Sequence, residues 1–171
     1  MNNLFRKFLL LSAMGLVLFA CKKKDDPNPS KTPEQLAIES LAGESSIIWT
    51  VAGDGTPSGT GSVIRGDDNI TNTFQDFEIT FSANQNSKTY GTSNGGEIFD
   101  SSGNWNFVSG DLTKITLAGT RPAAGPEISH TKTTSNDLVL KFNIVAPGGE
   151  NRGNPGAALA GSYTFNLKRK Q

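Results

Sequence analysis

From residue 44 onward the chain is dominated by alternation of apolar and polar positions. In "DLVLKFNIV", Leu138, Leu140, Phe142 and Ile144 alternate with Val139, Lys141, Asn143 and Val145. A period of two is the mark of a half-buried strand, because successive side chains leave opposite faces. Phe77, Ile79 and Phe81 alternate with Glu78 and Thr80 in the same way, and Tyr163, Phe165 and Leu167 with Thr164, Asn166 and Lys168. Six more strands are predicted over 46–51, 61–65, 88–92, 104–108, 114–117 and 127–131. The stretches between them, among them "AGDGTPSGTG", "RGDDN", "SNGG", "RPAAGP" and "PGGENRGNPG", are built from turn formers. Nine short strands in about 130 residues predict an all-β fold, an antiparallel up-and-down barrel of about eight strands with one dry face; a β-sandwich is the alternative.

One helix precedes the strands. Thr32 is suited to an N-cap, Pro33 to the first helical position and Gln35 to the third place of a capping box. Leu36, Ala37 and Leu41 share a side, and Gly43 can close the C-terminus, so a helix of about ten residues is expected.

The N-terminus follows a different rule. Arg6 and Lys7 precede an uncharged apolar run from Leu9 to Ala20, too short for a membrane span of about twenty residues. With the small Ala20 before Cys21, residues 1–20 are expected to be a cleaved signal peptide. Leu18-Phe19-Ala20-Cys21 resembles the lipobox of bacterial lipoproteins. That resemblance implies a diacylglycerol on the Cys21 thiol, cleavage before it and acylation of the new amino terminus. Two or more chains make anchoring stable, each buried methylene contributing about 0.8 kcal/mol. Residues 21–32, with "KKKDDPNPSKT" after Cys21, carry charge and proline and are expected to form a flexible tether. Within it Lys24, Asp25 and Asp26 are similar to the surface-export tag of Bacteroidetes lipoproteins. The resemblance implies an outer-membrane protein, lipid-anchored and facing the cell exterior, its membrane contact made through Cys21.

Composition then narrows the function. Cys21 is the one cysteine, so no intrachain disulfide supports residues 33–171, and lipidation would exclude a catalytic thiol. Once Arg6 and Lys7 leave with the signal, 14 Lys and Arg face 16 Asp and Glu, a formal net charge of −2. Nucleic acid is therefore not an expected partner. Lys168-Arg169-Lys170 reads as a solvated strand end.

Candidate chemistry is sparse. His130 is the sole histidine, which leaves no His-based metal cluster or relay. Asp76 and Glu78 stand two apart, but acid–base hydrolysis needs carboxyls about 5 to 9.5 Å apart across a cleft, and an exposed polar face explains them as well. "GDDN" and "DSSGN" lack the spacing of a calcium loop, and Asx turns account for them. No phosphate loop, nucleophile elbow or His-Glu-x-x-His is present. No catalysis, metal or cofactor is expected.

The order "LAG…IIWTV", "FEITFSANQNSKTYGTS", "SGNWNFVSGDLTKITLAG", "DLVLKFNIV" and "GSYTFNLKRK" resembles the lipocalin-like domains of Bacteroidetes lipoproteins. Gly103-Asn104-Trp105 stands mid-chain, whereas lipocalins carry Gly-x-Trp on the first strand, so the resemblance implies a calycin-like barrel more than transport as such. Trp49, Tyr90, Trp105 and Phe107 are the informative side chains. Facing an open mouth they would bind a small apolar or glycan ligand; facing inward they would fill the core. The first arrangement predicts a ligand-binding surface lipoprotein, the second a structural or interaction module with a filled barrel and a protein partner left open.

Overall fold

A computed structural model describes residues 30–53, 59–146 and 158–171. Cys21, Lys24, Asp25 and Asp26 lie outside the described residues. The elements are helix α1 (Pro33–Ala42) and strands β1 (Ser46–Thr50), β2 (Ser62–Arg65), β3 (Asp68–Asn69), β4 (Glu78–Ala83), β5 (Lys88–Ser93), β6 (Ser102–Val108), β7 (Asp111–Leu117), β8 (Ile128–Thr134), β9 (Asp137–Ile144) and β10 (Gly161–Arg169), with 3₁₀ turns at Thr71–Phe74 and Pro122–Ala124. The nine predicted strands are all present.

Strands β4 to β10 each pair with the next, antiparallel throughout, and β1 pairs with both β4 and β10. The sheet thereby closes into an eight-stranded barrel, which decides against the sandwich. Closure at the β1–β10 seam is short, Trp49 opposite Arg169 and Thr50 opposite Lys168. Beyond Thr50 the chain leaves that edge, and β2 takes over the rest of it from Asn166 to Tyr163. β3 folds back on β2 through a turn in which Gly66 holds φ 61°. This strand was hidden inside "RGDDN", since two residues show no period.

The core is the inward face of that alternation. Trp49, Val63, Phe77, Ile79, Phe81, Trp105, Ile115, Leu138, Leu140 and Phe165 are all fully buried. One mouth is covered by α1, which touches β1, β4 and β7. Its capping box forms as predicted: Thr32 Oγ1 accepts from the Gln35 N–H at 3.2 Å and Gln35 Oε1 from the Thr32 N–H at 2.7 Å. Leu41 and Ala42 seal the interior, and Trp49 Nε1 donates to the Leu41 carbonyl at 2.9 Å. Leu36, expected on the buried side, is exposed, because the helix packs through its C-terminal half. The other mouth is closed by loop side chains: Phe74, Ile98, Phe99 and Ala123 are buried there, with Phe99 5.4 Å from Phe165 and 5.7 Å from Phe142 between ring centres. The Ala123 N–H donates to the Ile98 carbonyl at 2.9 Å and ties two of these loops together. No helix among the described residues is long and apolar enough to cross a membrane.

Candidate functional site

The four aromatic candidates are brought into the barrel wall and interior, not around an open pocket. Trp49 and Trp105 are fully buried and Tyr90 nearly so. Each polar atom is already engaged by main chain: Trp49 Nε1 as above, Trp105 Nε1 on the Ser82 carbonyl at 3.3 Å, and Tyr90 Oη on the Ala118 carbonyl at 2.9 Å. Burial, with a smaller contribution from the Asp100 charge, pushes the Tyr90 hydroxyl above its ordinary range, so it stays a neutral donor. Phe107 is half-buried, edge-on to Trp105 at 5.3 Å and with Lys88 Nζ 5.9 Å from its ring centre. Phe81 also stands edge-on to Trp105, and a second group of ring contacts links Phe77, Phe99, Phe142, Phe165 and Tyr163. Side chains thus occupy the volume in which a barrel of this size would hold a small ligand.

His130 points into the barrel from β8 beside Phe107, their ring centres 6.0 Å apart. β7 and β8 share only Lys114–Ser129 and Ile115–Ile128 as paired positions, and where their ladder ends His130 Nε2 lies 3.0 Å from the Leu112 carbonyl. That contact fixes Nε2 as the protonated nitrogen of the neutral ring. Burial lowers the imidazole pKa, opposed by the Leu112 hydrogen bond and by Asp111. The histidine sits where the β7–β8 ladder ends, and among the described residues no carboxylate or hydroxyl is hydrogen-bonded to it.

The acidic candidates do not form a site either. Asp76 lies in the turn before β4 rather than on a strand, and its carbonyl accepts from Asn94 Nδ2 at 2.8 Å. Glu78 is paired with Lys170 at 2.5 Å. Asn69 of "GDDN" accepts from the Thr71 N–H at 3.0 Å, an Asx turn. Asp100 of "DSSGN" accepts from the Thr120 N–H and Oγ1 at 3.0 Å and from the Arg121 N–H at 2.9 Å. Slight burial would raise its pKa, but these hydrogen bonds and the Arg121 charge outweigh it, and the carboxyl sits below its ordinary range. Among the described residues no group of three or more His, Cys, Asp or Glu is placed to hold a metal ion.

What the surface offers lies at the two ends. Beside α1 a groove of about 780 Å³ runs between Gln35 and Ile38 on one side and Ala83, Asn84 and Lys88 on the other, crossed by the Glu34–Lys88 ion pair at 3.1 Å. At the far end a cleft of about 400 Å³ separates the 3₁₀ turn at Pro122 from the end of β9, with Pro126, Ile144 and Val145 in its walls. Neither is lined by Trp49, Tyr90, Trp105 or Phe107. The far cleft was invisible as a site in the sequence, where "RPAAGP" reads as a spacer; its one trace is Val145, an apolar residue in the polar phase of β9 and 77% exposed. No family model, curated protein or solved structure matches the chain.

Proposed function

We propose that this chain is an outer-membrane lipoprotein, anchored through Cys21, carried to the cell surface by Lys24, Asp25 and Asp26, and that its barrel works as a non-enzymatic interaction module. The observation behind the module reading is the filled interior: both mouths are closed by side chains, Trp49, Tyr90 and Trp105 are buried, and Trp105 packs against Phe81 and Phe107. A carrier of small apolar molecules or glycans needs an enclosed pocket of roughly 300 Å³ or more, and here that space is protein. Recognition then falls to the outside of the barrel and its end loops. The lipobox-like sequence and the charged tether support the anchor.

Native mass spectrometry of the chain purified from its own cells tests the module. The expected spectrum shows protein and its acyl groups alone; a stoichiometric small molecule that survives desolvation would restore the carrier reading. Metabolic palmitate labelling tests the anchor separately, and label persisting on Cys21→Ser would refute it.

A further inference from the structure

We infer that the overhanging edge of β9 at the far end of the barrel is a docking site for an extended polypeptide segment, which adds to the sheet as a short extra strand. This rests on the module reading and specifies its partner.

The β8–β9 ladder runs from Thr134–Asp137 to Ser129–Lys141 and stops there. In the same register the next hydrogen-bonded pair would be Glu127 with Asn143, but no hydrogen bond joins them. The chain then reaches Pro126, which has no N–H to offer a ladder. β9 meanwhile continues against β10 as far as Ile144 opposite Gly161. Among the described residues its last positions therefore have a partner on one side only.

The orientation of their main chain follows from the other side. The Ser162 carbonyl accepts from the Gly66 N–H at 2.8 Å, so Ser162 directs its main-chain groups away from β9. Ser162 is opposite Asn143, which makes this a non-hydrogen-bonded pair and turns the Asn143 N–H and C=O toward the side β8 has vacated. That side is the cleft formed by Pro122, Gly125 and Pro126 facing Ile144 and Val145. Among the described residues no donor or acceptor reaches the Asn143 main chain from there.

Such an edge is ordinarily blunted by charge, proline or a bulge. β3, the edge strand beyond β2, is two residues long and carries Asp68. Asn143, Ile144, Val145 and Ala146 themselves carry neither charge nor proline, the nearest being Lys141 and Pro147. An unpaired N–H and C=O side by side in the plane of the sheet match the C=O and N–H of another extended backbone, whereas an acyl chain has neither donor nor acceptor. The walls of Pro122, Pro126 and Val145 select an uncharged segment with a small or β-branched apolar side chain. Three residues of edge span about 10 Å, so the contact is short and its selectivity comes from those walls.

The test uses the full chain in mild detergent. A display library of linear ten-residue peptides is selected against it, and the recovered peptides are measured by fluorescence anisotropy on wild type, Val145→Asp and Asn143→Pro. Val145 is exposed, so Val145→Asp leaves the fold intact; Asn143→Pro removes the cleft-facing N–H together with the side-chain oxygen that accepts from Ser162 Oγ, and Asn143→Ala, which loses that oxygen but keeps the N–H and should bind as wild type, is its control. Loss of one hydrogen bond or of the apolar wall is expected to weaken binding about tenfold in each, and bound peptide should slow hydrogen exchange at the Asn143 amide. Peptides that bind Val145→Asp equally well, or leave Asn143 exchanging at its free rate, would overturn this site while leaving a surface module standing. Failure to recover any binding peptide would overturn it as well. An Asn143 amide already protected in the free chain would mean that a second copy, seen as a dimer by light scattering, or the chain itself fills the edge, and would equally refute a foreign strand.

Discussion

Gly103→Ala measures how rigidly the barrel interior is filled. A Cβ built on Gly103 would lie 2.2 Å from the Ala118 carbonyl oxygen, 2.7 Å from Tyr90 Cε1 and 3.0 Å from Tyr90 Oη. The first obstacle is main chain and cannot rotate away; the second is a ring held by its hydrogen bond to that same carbonyl. To admit the methyl, β6 must move from Ala118 or Tyr90 must leave its position. Overpacking of this kind costs about 1–3 kcal/mol, and a broken buried hydrogen bond about 1–3 kcal/mol more. Together they predict a loss of about 2–6 kcal/mol. Gly91, one strand away, is the control: its Cβ would meet only the Ser101 carbonyl at 3.8 Å. There, alanine should be neutral or stabilising by up to about 1 kcal/mol, through the restricted unfolded chain. Urea unfolding of the two variants gives the comparison directly. If Gly103→Ala came within about 0.5 kcal/mol of Gly91→Ala, the interior around Tyr90 would have room to spare, and the argument against an internal ligand would fail with it.

Two pH effects follow from the same structure. Burial lowers the His130 pKa below its ordinary 6.5, so on acidification the unfolded chain takes up a proton before the folded one does. Stability should be level above pH 6.5 and fall as pH drops from there toward the depressed folded value; urea midpoints at pH 7.5 and 5.5 would show this, and a His130→Gln variant with the same slope would refute the assignment. Asp100 acts with the same sign at lower pH, its folded pKa lying below 3.8, so the stability from the Thr120 and Arg121 hydrogen bonds should be retained above 3.8 and lost as pH falls through the folded value. Asp100→Ala, measured by urea unfolding at pH 7, should cost about 1–2 kcal/mol after solvent screening, and no change would mean the loop at Thr120 is held by its other contacts.

What was legible in the sequence is what depends on period. The alternation from Leu138 to Ile144 and from Tyr163 to Leu167 appears in the structure position for position, with the apolar phase inside. The helix was legible through Thr32, Pro33 and Gln35, because a capping box is made of neighbours. The ring closure at Trp49–Arg169 was not, since it joins residues 120 apart and no local pattern encodes such a pairing. The aromatic residues could be assigned to strands but not to pocket or core. That distinction turns on Ile98, Phe99 and Phe74, loop residues outside any period, which fold over the mouth and leave no opening. The β9 overhang escaped for a related reason: Pro126 ends one strand in the sequence, but the edge it exposes belongs to another.

The filled interior also bears on what this domain could become. A ligand cavity and a packed core draw on the same volume, and here no intrachain disulfide is available to offset its loss. Opening about 300 Å³ by truncating interior side chains would cost about 7 kcal/mol at roughly 24 cal/mol per Å³ of cavity. Domains hold only about 5–15 kcal/mol in total. Phe77, Phe99, Phe142 and Phe165 therefore act as a unit that closes the far mouth and carries much of the fold. The end loops and the β9 edge stand outside that unit: Val145 and Asn143 can change without opening the core. Selection for a new partner is consequently least costly at the barrel's far end, where the exposed edge already lies.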